Sequence, residues 1–204
     1  MLLLAFCWTI YFALHSLLAT TWVKSAAARQ FPRAVRFYRL AYNQVSVWGF
    51  LLILRYQTQL PATLFFAPGP LVLALGYALL ALGVLVAVAA LRGYDLAEFA
   101  GWAYVRRGPA AADGTLRVAG LNRLVRHPLY LGLLLGLAGF WLLAPSDVRS
   151  VFVGCNVAYI LVGTRLEERK LFARFGAAYA RYQARVPQLL PLKWRTTPPG
   201  NAPS

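Results

Sequence analysis

The chain has 204 residues, of which 60% are hydrophobic and 13% charged. A soluble domain carries roughly a quarter charged residues, so this balance excludes both disorder and an ordinary soluble domain. Lys and Arg number 21 against six Asp and Glu, a net charge of +15, which has to be explained by topology before nucleic acid is considered as a partner. A membrane span uses about 20 residues, so this length fits one helical membrane bundle, residues 1–195, with no second domain. The Pro-, Gly- and Ser-rich stretch 196–204 reads as a disordered tail.

Four apolar regions follow in chain order, at 2–23, 40–56, 71–91 and 129–166. The first lacks a basic leader and a cleavage motif and reads as a retained span. The last is too long for one crossing, and Ala144-Pro145-Ser146-Asp147 places turn chemistry at its middle, so it reads as a hairpin of two short helices. The expectation is an all-α integral membrane bundle of about five spans. Lys and Arg number five in 24–39, six in 92–126 and eight in 165–195, whereas Arg55 and Arg149 alone fall on the opposite face. Cytoplasmic loops are enriched in these residues, which puts the amino terminus outside and the carboxyl terminus in the cytoplasm, with a bacterial inner membrane as the expected location. The same bias, with attraction to anionic lipid heads, accounts for the charge without nucleic acid. After the last span, Leu171, Phe175, Ala178 and Tyr182 recur at helical spacing between basic residues and predict one amphipathic interfacial helix, ended by Val186-Pro187.

Polar groups at span ends are costly and need partners or roles. Arg126 and His127 precede Pro128, which suits the first turn of a helix and puts His127 at or beside its N-cap, a place that favours an anion. Pro128 to Asp147 is 19 residues and Asp147 to Glu167 is 20, so both hairpin arms return to one level and bring this basic cluster to Glu167 and Glu168. The constellation has two readings. It can hold a zwitterion, with Arg126, His127 and the helix start on a carboxylate and Glu167 or Glu168 on an ammonium, or it can be a salt-bridge stitch between two helices. Gly132, Gly136 and Gly139 read as a close helix-packing face. Cys7 and Cys155 lie in apolar runs, so neither a disulfide framework nor a metal site is expected.

The stretch Gly120-Leu121-Asn122-Arg123-Leu124-Val125-Arg126-His127-Pro128-Leu129-Tyr130, followed by Glu167-Glu168, Phe175-Gly176, Tyr179, Tyr182, Val186-Pro187 and Pro191, resembles the signature of the isoprenylcysteine carboxyl methyltransferase and phospholipid methyltransferase superfamily. The resemblance covers about residues 92–191. It implies an integral membrane enzyme that uses S-adenosylmethionine and methylates a small or lipophilic acceptor. It also implies that Arg126, His127, Pro128 and Tyr130 line the methionyl end of the cofactor, that Glu167 and Glu168 hold or frame it, and that Tyr179 and Tyr182 cover the cytoplasmic mouth. No residue is assigned as catalytic base.

In the amino-terminal half, His15-Ser16 and Tyr38-Arg39-Leu40-Ala41-Tyr42-Asn43 are similar to bacterial branches that include thiol methyltransferases and NnrU-like denitrification-associated proteins. His15 reads as a helix-packing hydrogen-bond donor or acceptor about 12 Å inside its helix. Arg39, Tyr42 and Asn43 would meet a polar-headed lipid acceptor, and Asp95 and Glu98 read either as a general base or, in preference, as a pair with nearby arginines. Two other classes remain open: a non-enzymatic accessory protein that keeps the fold, and a bis-histidine haem protein on His15 and His127, the latter disfavoured by their different depths.

Overall fold

The computed structural model describes residues 1–93, 97, 100–107, 116 and 118–191, and every described element is helical apart from one isolated bridge between Leu64 and Ser146. The expectations for Asp95, Glu98 and the 196–204 tail lie outside the described residues. Helix α1 (Leu2–Leu18) gives way to α2 (Thr21–Gln30) at a 61° bend. The single apolar region 2–23 is therefore broken. Thr20 turns extended and its hydroxyl caps the Val23 amide at 3.3 Å, starting a new helix where the first would have continued. His15 consequently lies three residues from the end of α1, about 4.5 Å rather than 12 Å. A 3-10 turn at Val35–Phe37 leads into α3 (Tyr38–Gln57), and Pro70 opens α4 (Pro70–Leu91) from a Gly69 cap. A short α5 (Trp102–Arg107) precedes the hairpin.

The hairpin consists of α6 (Pro128–Leu142) and α7 (Asp147–Phe175). Its turn forms where the sequence places it: Ser146 caps the Arg149 amide, and Arg149 donates at 2.6 Å to the Phe140 carbonyl at the end of α6. The loop after α3 pins this turn, because Asp147 Oδ1 accepts from the Thr63 amide at 2.9 Å and Phe65 N donates to Pro145 O at 2.9 Å. Helix α7 runs well beyond residue 166, so the anticipated interfacial helix does not form as one piece. Leu171 and Phe175 belong to α7. Gly176, at φ +50, then turns the chain sharply into α8 (Ala177–Arg185). The apolar residues of that segment therefore meet across a corner, where Tyr179, Tyr182 and Val186 pack with Leu116, Leu171 and Phe175 in a small core.

A larger core joins α1, α3 and the hairpin. Leu4, Trp8, Val148 and Phe152 are buried there, with Tyr11, Phe12, Phe50 and Phe140 around them. Trp8 is fully enclosed and donates its indole N–H to Gln57 Oε1 at 3.2 Å, which pairs a buried donor with a buried acceptor. Helix α4 packs on α6 through glycines from both helices: a Cβ added at Gly83 would lie 2.5 Å from the Gly136 amide, and one at Gly139 would lie 2.5 Å from the Gly76 carbonyl. Close backbone approach thus explains Gly132 and Gly139 on α6, with Gly76 and Gly83 facing them from α4, whereas a Cβ at Gly136 would meet nothing within 4 Å. Outside these contacts the surface is apolar, with Leu71, Leu52, Leu85, Phe6 and Trp48 each more than 60% exposed. Among the described residues, Pro70–Leu91 is one helix long and apolar enough to cross a membrane, and Leu2–Leu18 with Thr21–Gln30 qualifies only as a bent pair.

Candidate functional site

The end of the hairpin gathers the polar residues singled out above. His127 is the N-cap residue of α6, yet its side chain does not cap the helix. The ring is buried and turns toward α7 instead, where Nε2 donates to Glu168 Oε1 at 3.2 Å and Nδ1 lies 3.8 Å from Glu167 Oε2. Arg126 is held from two sides. Its Nε donates to Glu168 Oε1 at 2.6 Å, and its Nη1 donates to the Val186 carbonyl at 2.6 Å and the Gln183 carbonyl at 3.2 Å. The two side chains are only 11% and 16% exposed, so this ion pair is largely withdrawn from water.

The segment after α8 closes over the same point. The Arg126 and His127 amides donate to Pro187 and Gln188 carbonyls at 2.9 and 3.1 Å, so Val186-Pro187 both ends the helix and pairs with the hairpin entrance. Tyr182 donates its hydroxyl to the Asn122 carbonyl at 2.6 Å. Tyr130 stands beside His127, with ring centroids 5.6 Å apart. Gln183 was not anticipated from the sequence. Its amide donates to Glu168 Oε2 at 3.2 Å, and its side chain lines, with Arg165, Glu168, Arg169, Phe172 and Ala173, an open depression of about 400 Å³. One signal could have found it: four residues after Tyr179, Gln183 shares that face of α8.

Tyr179 differs from its neighbours. Its ring is fully buried and its hydroxyl has no hydrogen-bond partner among the described residues. Burial, and then the Glu168 charge, push its pKa up to about 12 against the opposing Arg126 charge, so at neutral pH the group is a protonated donor beside charges of both signs. A buried unpaired donor costs free energy and marks a place where an acceptor can be received.

Burial acts to raise the pKa of Glu168, but the Arg126 hydrogen bond and charge, followed by those of His127, outweigh it and hold the carboxyl below its ordinary value of 4.5. A folded-state pKa below the unfolded one means that the ionised form favours the fold. That stability is present above pH 4.5 and disappears as pH falls through the lower folded value. Thermal unfolding should show the protein losing stability in this acidic window, and Glu168→Gln should flatten the loss there. An unchanged acid slope in the variant would show that Glu168 is not the group responsible.

The amino-terminal candidates form a separate network. His15 Nδ1 is 2.9 Å from Ser46 Oγ, and Nε2 is 2.9 Å from the Tyr42 hydroxyl. This is a packing hydrogen bond between α1 and α3. Asn43 donates to the Ala100 carbonyl at 3.0 Å, so Tyr42 and Asn43 have partners within the fold. His15 and His127 engage different groups, and the paired-histidine arrangement is not formed.

Residues 1–186 match a family model described as a protein of unknown function, DUF1295. The chain belongs to this family. Methanethiol S-methyltransferase 2 of Bradyrhizobium diazoefficiens is 44% identical over 86 residues, 42% of this chain and 32% of that protein. A methanethiol S-methyltransferase of Pseudomonas deceptionensis is 42% identical over 80 residues, 39% of this chain and 29% of its own length, and one of Crocosphaera subtropica is 43% identical over 68 residues, 33% and 26%. The matched stretch thus spans about a third of these curated relatives. No solved structure matches this DUF1295 chain.

Proposed function

We propose that this chain is an integral membrane methyltransferase that takes S-adenosylmethionine at the end of the hairpin and methylates a small thiol. The observation that carries the reading is the composition of the polar cluster. Arg126, His127 and the start of α6 suit a carboxylate, Glu167 and Glu168 suit an ammonium, and the buried Tyr179 hydroxyl is a donor without a partner. This donor set fits the amino-acid end of the cofactor, with Pro128, Tyr130 and Tyr182 around it. Arg126 and Glu168 would change partners when it binds. When bound, the cofactor supplies a methyl group on a sulfonium already activated for transfer to a nucleophile.

The chain's own residues would work by orientation and exclusion of water. The strap from Val186 to Gln188 covers the hairpin entrance, and the enclosed Tyr179 and Tyr182 rings back it. An apolar acceptor has a route on the same helix. A groove of about 410 Å³ between α1 and α7 is lined by Phe12, Cys155, Ala158, Tyr159 and Val162. Arg165, Arg169 and Phe172, which line the depression at Glu168, continue that face of α7 at spacings of three and four residues.

The proposed placement has α1, α3, α4, α6 and α7 in a bacterial inner membrane, with the site at the cytoplasmic face. The large exposed apolar surface supports it. A second reading, an accessory protein without activity, is favoured by one observation: Arg126 and Glu168 satisfy each other. Purified protein incubated with S-adenosylmethionine and methanethiol separates the two. Dimethyl sulfide in the headspace and an equal amount of S-adenosylhomocysteine are expected. Folded protein that yields neither, with thiol, amine or prenylcysteine acceptors, would contradict the enzymatic reading.

A further inference from the structure

Gln183 touches both members of the central ion pair. Its backbone carbonyl accepts from Arg126 Nη1 at 3.2 Å, and its side-chain amide donates to Glu168 Oε2 at 3.2 Å. Arg126 and His127 both approach the other carboxylate oxygen, Oε1, at 2.6 and 3.2 Å. The two oxygens are therefore used unequally. A carboxylate oxygen has two lone pairs, so Oε1 is fully engaged, whereas Oε2 holds Gln183 and, among the described residues, has room for one more donor. Glu168 and Gln183 both line the open depression of about 400 Å³, which gives a ligand group a way in. Gln183 is also firmly placed. Its chain neighbours on α8 and at the strap, Tyr182 and Val186, are buried, and Tyr182 donates its hydroxyl to the Asn122 carbonyl at 2.6 Å.

We propose that Gln183 is a positioning residue for the cofactor's ammonium: it fixes Glu168 through Oε2, so that the carboxylate stays in place when Arg126 exchanges Oε1 for the cofactor's own carboxylate. The ammonium then meets Oε2 at its remaining lone pair. Without the amide, Glu168 would be free to rotate about its side-chain bonds once Arg126 had left it, and the entropy lost in ordering it again would weaken binding. The Gln183 carbonyl keeps its bond to Arg126 whatever its side chain is, so the two halves of the residue can be separated by substitution. The inference rests on the cofactor reading above and deepens it, because it distinguishes the residue that meets the ammonium from the one that holds it.

Isothermal titration of the whole chain with S-adenosylhomocysteine and with its deaminated analogue, which keeps the carboxylate and lacks the ammonium, reads this role directly. The parent should prefer S-adenosylhomocysteine. In Gln183→Met, which keeps the length of the side chain and removes the donor, that preference should fall about fivefold, within the worth of one hydrogen bond, while affinity for the deaminated analogue stays the same. Gln183→Ala should lose the preference to the same extent, and thermal unfolding should show both variants folded at the titration temperature. An undiminished preference in either folded variant, or an equal loss of affinity for both ligands, would overturn the role. A parent that binds both ligands alike would leave cofactor binding standing and remove the ammonium seat at Glu168, and this inference with it. A parent that binds neither would contradict the cofactor reading itself.

Discussion

Gly83→Ala should be among the most damaging single changes in the bundle, whereas Gly136→Ala, on the helix facing it, should be tolerated. The added Cβ at Gly83 would sit 2.5 Å from the Gly136 amide nitrogen, 2.6 Å from the Gly132 carbonyl and 2.9 Å from the Gly136 Cα. All three are backbone atoms, which no rotamer change can move, so α4 and α6 must separate. Overpacking of this kind costs about 1 to 3 kcal/mol, and the rigid obstruction places Gly83 at the upper end. At Gly136 the same methyl group would meet nothing within 4 Å, and alanine's better helix propensity offsets any small loss. Thermal unfolding of the two variants in one detergent checks the contrast. Similar unfolding temperatures would mean that α4 and α6 are not packed backbone to backbone.

Glu168→Gln is the second large effect. Its carboxylate accepts from Arg126, His127 and Gln183 together, and the Arg126 side chain has little exposure to water. A glutamine keeps the shape but leaves a withdrawn guanidinium without its counter-charge. The expected loss is about 2 to 3 kcal/mol, toward the lower side of what breaking a buried pair costs because Glu168 is partly solvated. Arg126→Gln should cost a similar amount, and the double variant should cost less than the two singles added together. Additive losses would show that the two residues stabilise the fold separately.

Much of this arrangement can be read from residue order. Proline at 128 and the Pro-Ser-Asp break at 145–147 fix both ends of α6, and equal arm lengths then bring Arg126 and His127 to Glu167 and Glu168. The helices that strong local chemistry marks, α4 with its Gly69-Pro70 start above all, fall where the apolar pattern ends. Three features escaped it for physical reasons. Thr20 breaks the first apolar region by capping, a local hydrogen bond that hydropathy does not register. Gly176 sits inside a helical periodicity that continues on both sides of it, so the pattern reads as one helix while the backbone turns. Gly83 and Gly76 carry meaning only through the backbone of α6, and a single helix read alone does not name its partner. The pairing of Arg126 with Glu168, by contrast, is one of the two readings that the hairpin arithmetic already offers, a stitch between elements 42 positions apart.

The central claim, that this polar cluster receives an amino-acid cofactor, is tested most directly at Tyr179, where stability and binding come apart. Its hydroxyl is buried and bonds to nothing among the described residues, so the fold loses nothing when it is removed, whereas a bound acceptor would lose a donor. Isothermal titration of S-adenosylmethionine into parent and Tyr179→Phe protein, alongside their thermal unfolding, is the measurement. The account predicts an unfolding temperature no lower in the variant than in the parent, since an unpaired buried donor is removed, and an affinity about tenfold weaker, the worth of one buried hydrogen bond. Equal affinity in the two proteins, or no binding by well-folded parent, would contradict it.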